Sequence, residues 1–142
     1  MWLYIGLTFV AVLTLAILLT RYLRRTQYTR QINKFISDIS RSELRHILVP
    51  DAVDGEVWLD CLLLTDGGLL VLDIRDYTGN LFGGESINEW TQLIGVKSLK
   101  FNNPLLELPA RIQAVQALVG DIPVTGQVVF TQRGSFPKGR PE

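Results

Sequence analysis

Apolar and polar positions follow two regimes along the chain. From Trp2 to Thr20, WLYIGLTFVAVLTLAILLT, no charged residue occurs. Beyond it, Ile32, Phe35, Ile36, Ile39 and Leu44 recur at helical spacing with charges between them, which predicts a helix over about residues 21–45. ILVPDAVDGE then reads as a short strand and a loop, because Pro50, Asp51, Asp54 and Gly55 break or turn the chain. Two strands follow, VWLDCLLLT (57–65) and LLVLDIRD (69–76), flanking Asp66-Gly67-Gly68 as a hairpin. YTGNLFGG predicts a turn and short strand, and INEWTQ and GVKSLKF predict two more. Asn103-Pro104 marks a break, and Pro109-Ala110 opens a second helix. That helix has an apolar face of Ile112, Val115, Leu118 and Val119 and a stop at Gly120. VTGQVVFTQ (124–132) is a last strand. Helix, meander, helix and strand together predict an α+β domain, a mixed sheet flanked by helices. The end, GSFPKGRPE, reads as an interrupted loop, as in a domain that closes beyond Glu142.

The uncharged run calls for a different solvent. As a helix it would be about 28 Å long, close to the ~30 Å core of a bilayer. A cleaved signal peptide fits less well: no basic residue precedes the run, its apolar core is too long, and no small-residue cleavage pattern ends it. Arg21, Arg24, Arg25, Arg30 and Lys34 follow with no acidic residue among them. The expectation is a membrane anchor over 1–20, a basic helix over 21–46 and a domain over 47–142. The excess of basic charge places the domain in the cytoplasm and the N-terminus outside the inner (plasma) membrane. Trp2 and Tyr4 at one end and Tyr22 at the other suit the two interfaces.

Composition narrows the chemistry. Fourteen basic residues balance 14 acidic ones, and the domain has no run of interleaved basic and aromatic residues, so nucleic-acid binding is not advertised. The basic run at 21–34 is explained by anionic lipid. One cysteine, Cys61, forms no internal disulfide, which agrees with a reducing compartment. With one histidine, His46, it cannot build a zinc site. Cys61 reads as a structural thiol and His46 as an ordinary side chain. No small-molecule cofactor is indicated.

The candidate chemistry lies in the hairpin. A two-residue turn at Asp66-Gly67 sets Thr65 against Gly68 and Asp60 against Asp73; a turn at Gly67-Gly68 sets Asp60 against Arg75. Either way Asp60, Asp73 and Arg75 share a face. Opposed carboxylates need a proton, a basic partner or a metal between them. All-oxygen ligation suits Mg²⁺ or Mn²⁺. The plainer alternative is that Arg75 pairs with Asp73 or Asp60 and does nothing more.

These residues carry a resemblance. Asp60 followed by Asp73-Ile74-Arg75 is similar to the restriction-endonuclease-type pattern of Asp, then an acidic residue, any residue, and Lys. The run LDCLLLTDGGLLVLDIRDYTGNLFG, then EWTQ and FNNPLLEL, resembles the nuclease-related domain, NERD, over roughly residues 47–142. The resemblance implies a restriction-endonuclease-like fold and metal-dependent cleavage of DNA or RNA. Asp60 and Asp73 would be metal ligands, Arg75 would stand at the catalytic lysine, and Gln92 would be an auxiliary polar residue, with Trp90 packing beside it. Two departures stand out. Arginine stays protonated and cannot serve as a base as lysine can. The first helix, TRQINKFISDIS, lacks the family's early acidic residue, and Glu43 sits too near the next strand to replace it. The implied alternatives are a Mg²⁺- or Mn²⁺-dependent nuclease at the membrane and an impaired domain that binds nucleic acid or a protein partner there.

Overall fold

A computed structural model describes residues 2–51 and 53–141, with the side chains of 2–5, 7 and 25 outside the described set. The chain divides into two compact units, 1–35 and 36–142. Helix α1 (Trp2–Ile39) begins in the first and ends in the second. Among the described residues no helix is long and apolar enough to cross a membrane. The anchor expected over 1–20 includes residue 1 and the side chains of 2–5 and 7, which lie outside the described residues.

The basic helix expected to reach 46 stops at Ile39 instead. Ser40 donates both its N–H and its hydroxyl to the Ile36 carbonyl, at 3.0 and 2.7 Å, and Arg41 N–H already bonds the Leu64 carbonyl. Strand β1 (Ser42–Pro50) therefore takes Glu43 and Leu44 out of the helix. Cross-strand partners on β2 for every β1 residue but His46 outweigh the helical spacing of a single leucine.

Strands β2 (Glu56–Thr65) and β3 (Gly68–Arg75) form the predicted hairpin. Thr65 faces Gly68, so the turn is Asp66-Gly67 and the first of the two registers holds. Gly68 has φ +121°, and a Cβ there would meet the Pro123 carbonyl oxygen at 2.3 Å, so only glycine fits. Sheet A runs β1-β2-β3-β7, with β7 (Val124–Phe130) parallel to β3. Sheet B runs β6-β5-β4-β8, built from β4 (Gly79–Phe82), β5 (Glu89–Ile94), β6 (Lys97–Asn102) and β8 (Gly134–Ser135). The single mixed sheet of the expectation is thus two, each with parallel and antiparallel pairs; the α+β class stands.

Helix α2 (Pro104–Val119) starts five residues before the predicted opening at Pro109, which lies inside it. Asn103 explains the early start. Its Oδ1 accepts from Leu105 N–H at 2.9 Å as an N-cap, with Pro104 at the first helical position. Its amide also donates to the carbonyls of Gly84, Glu85 and Ile87. α2 covers one face of sheet A, where Val49, Leu59 and Val71 bury against Ala114 and Val115, with Leu62, Leu69 and Leu108 around them. A second nucleus is aromatic: Trp90 of β5 stacks on Phe130 of β7 at 5.8 Å, with Phe101 and Phe136 edge-on. It ties sheet B to the end of sheet A.

Candidate functional site: a carboxylate and guanidinium cluster

The site continues the core of sheet A. Along β3, Leu69 and Val71 pack beneath α2, and two residues further the same face carries Asp73 and Arg75. Along α2, Leu108 and Val115 belong to that core, while Glu107 and Arg111 stand on the neighbouring turns. An apolar seam between strand and helix thus becomes a charged one. Asp73 is only 2% exposed, and burying an unpaired carboxylate would be costly. It is paired twice. Its Oδ2 accepts from Arg75 Nη2 and from Arg111 Nη1, each at 2.8 Å. Arg75 Nη2 also donates to Glu107 Oε2 at 2.7 Å, and Arg111 Nη2 approaches the same oxygen at 3.5 Å.

Asp60 joins this cluster by a different route. The β2–β3 ladder ends at Cys61 opposite Leu72. One step further, Ile74 N–H donates to Asp60 Oδ2 at 2.9 Å, so a carboxylate stands in for the next strand's carbonyl. Its Oδ1 accepts from Trp58 Nε1 at 3.0 Å. The register places Asp60 across from Asp73 one step beyond the last ladder pair, close enough for the two carboxyls to influence one another. Gln92 is not brought into the hydrogen bonds of this group: it lies on β5, and its amide donates to the Thr78 carbonyl, fixing the turn before β4. Trp90 is core, as expected. His46 stacks on Trp58 at 5.9 Å and adopts φ +53° on β1. Cys61 is a buried free thiol.

Electrostatics follow from these partners. Burial pushes the Asp73 carboxyl above its ordinary value; Arg75 and Arg111 pull it down, and contact with Asp60 pushes it up again. Burial draws Arg75 downward, but Asp73 and Glu107 outweigh it and hold the guanidinium above its ordinary value. Arg75 Nε is buried without a partner among the described residues.

The donor set does not suit a divalent cation in this arrangement. One oxygen of Asp73 already holds two guanidiniums, and both oxygens of Asp60 accept neutral N–H groups. Two positive side chains stand where a further cation would have to enter. Among the described residues no group of three or more His, Cys, Asp or Glu could hold a metal ion.

Sequence reasoning missed Glu107 and Arg111. The signal was present: with Asn103 as cap and Pro104 at the first position, ELPAR puts the two one helical turn apart on a shared face. Opening the helix at Pro109 hid it.

The layout, an acidic strand residue and an Asp-x-Arg strand under a helix in an α+β domain with mixed sheets, is consistent with a restriction-endonuclease-like domain. The chain belongs to the nuclease-related domain (NERD) family, whose profile matches residues 24–131. The match begins within α1, upstream of the boundary the resemblance suggested. The chain is also similar to an uncharacterized protein of Bacillus anthracis, with 24% identity over 96 residues, 67% of this chain and 45% of that protein. It thus spans less than half the length of that relative. No solved structure matches.

Proposed function

We propose that this chain is a membrane-tethered nuclease-related domain that binds nucleic acid or a protein partner and no longer cuts. One observation carries the reading: a single oxygen of Asp73 is held at 2.8 Å by both Arg75 and Arg111. A carboxylate so engaged is a poor metal ligand. Arg75, kept charged by Asp73 and Glu107, does not act as a base.

The tether rests on residues 2–20. They carry no charge, and Phe9, Val10, Val12, Leu13, Leu15, Ile17, Leu18 and Leu19 are each exposed by 45% or more. Consecutive exposed apolar positions cover every side of a helix, a pattern suited to lipid. The basic residues from Arg21 to Lys34 then face anionic headgroups, with the domain in the cytoplasm and the N-terminus outside the inner (plasma) membrane.

The second reading is a Mg²⁺- or Mn²⁺-dependent nuclease, favoured by the apposition of Asp60 and Asp73, whose like charges a cation would relieve. It requires Arg111 to leave Asp73, and Asp60 and Asp73 would then hold the ion, with Gln92 auxiliary.

A cleavage assay separates the two. The full chain in detergent is incubated with linear duplex DNA, single strands and RNA in Mg²⁺ or Mn²⁺, beside Asp73→Asn. We expect no metal-dependent cutting from either protein, and retention of nucleic acid or a partner without cleavage. Cutting by the wild type that disappears in Asp73→Asn would establish the second reading.

A further inference from the structure

We propose that the outer edge of β1 pairs with the same edge of a second copy of this chain, antiparallel, with Leu44 on the two-fold axis. The inference stands apart from the Asp73 cluster and from the reading above.

β1 ends sheet A: β2 pairs with it on one side, and among the described residues no strand pairs with it on the other. Such an edge presents a row of backbone donors and acceptors that templates a further strand. Lysines commonly guard edges against this, and β6, which ends sheet B, carries Lys97 and Lys100. β1 has no lysine. Its regular run is short. His46 leaves the ladder with β2 and turns to φ +53°, so Ser42–Arg45 is the stretch that pairs residue by residue from the strand's start. Leu44 stands opposite Leu62, and Ser42 opposite Leu64. Leu44 and Leu64, on one face of this run, are 56% and 44% exposed.

Charge selects both the partner and the register. Glu43 and Arg45 stand two residues apart on the other face of the run and pair within the chain, Arg45 Nη2 to Glu43 Oε2 at 3.1 Å. A two-fold axis on Glu43 would set Glu43 against its own copy, and an axis on Arg45 would do the same to the arginine. Like charges directly opposite repel. An axis between Glu43 and Leu44 leaves both charges facing uncharged residues. Only the axis on Leu44 sets Glu43 of each copy opposite Arg45 of the other, so that charges alternate in sign both along and across the strands. The same axis brings the two Leu44 side chains together and runs a leucine stripe from Leu64 and Leu62 of one copy to those of the other. Two four-stranded sheets become one.

The test is the association of the full chain in detergent, followed by sedimentation velocity up to about 100 μM. The wild type should dimerise, and Glu43→Arg and Arg45→Glu should each weaken the dimer about tenfold or more. An equal mixture of the two variants should regain the wild-type affinity to within about threefold, because two arginines of one chain then face two glutamates of the other. Each chain of that mixture still lacks its own Glu43–Arg45 pair, so the recovery reads contacts between copies and not repair of the fold. Opposed strand residues have Cα atoms about 4.5–5.5 Å apart, within disulfide reach. Leu44→Cys should therefore oxidise to a covalent dimer. Leu48→Cys, four positions from the axis and roughly 25 Å from its copy, should not. A monomeric wild type, as expected if β1 takes a strand of another protein, would overturn the proposal. So would a dimer that both charge variants keep, as expected if association lay in residues 2–20, a mixture that regains nothing, or cross-linking of Leu48→Cys as fast as Leu44→Cys. Leu44→Cys keeps the native charges, so if the charge variants fail to fold, its failure to cross-link overturns the proposal on its own.

Discussion

At the scale of single residues, Asp73 is where opposing forces meet. Burial favours its protonated form and two arginines favour the carboxylate, with burial the larger effect. A raised folded value means that the folded chain binds this proton more tightly than the unfolded chain does. Its contribution to stability is therefore fully present below about pH 4, near the unfolded carboxyl's value, and is lost as pH rises through the raised folded value. Asp73→Asn removes that titration. The wild type should lose stability relative to the variant as pH rises from about 4, read as the difference in urea midpoints across pH. A difference that grows in the wild type's favour with rising pH would contradict this assignment. Cys61 offers a simpler check. Burial raises its thiol above the ordinary value, against the pull of Arg45, so a thiol reagent at neutral pH should label it only as fast as sheet A opens. Prompt labelling of the folded chain would show the strand to be open.

At the scale of elements, the start of α2 is fixed by a cap that also binds the loop between β4 and β5, and that loop makes a close approach of its own. Asn103, 1% exposed, caps the helix and binds three carbonyls of residues 84–87. Asn103→Ala leaves these groups without a partner and should cost about 2–4 kcal/mol of unfolding free energy, measured in urea. A loss within a few tenths of a kcal/mol would mean that the cap is not holding the helix start. In the same loop, a Cβ on Gly83 would meet the Trp90 ring at 2.2 Å. Gly83→Ala should therefore overpack the aromatic nucleus by about 1–3 kcal/mol.

The legibility of each element depended on where its determinants lay. The β2–β3 hairpin could be read because alternation and a two-residue turn are local, and the register they gave put Asp60 beside Asp73. The end of α1 could not, because SELRH becomes a strand only by pairing with β2. Pro109 was read as a helix start because proline is common there, whereas Asn103 and Pro104 in fact act together five residues earlier. The same misplacement concealed Glu107 and Arg111, so the sequence showed the strand side of the cluster and not the helix side. Gln92 was drawn in by resemblance alone, and its hydrogen bond belongs to the other sheet.

At the scale of the whole molecule, a domain of the nuclease-related family follows an uncharged N-terminal segment. Ion pairs join β3 and α2 across Asp73, in the position where the family pattern implies a metal site. Removing one partner of such a buried pair costs more than removing both, because the survivor is left charged and unpaired. A double-mutant cycle measures this directly. Asp73→Asn, Arg111→Met and the two combined are unfolded in urea from the full chain in detergent. The account predicts that each single change costs about 2–4 kcal/mol and that the double change costs less than their sum by about 1–3 kcal/mol. Costs that add to within about 0.5 kcal/mol would show that Asp73 and Arg111 do not hold one another, and would contradict the account at its centre.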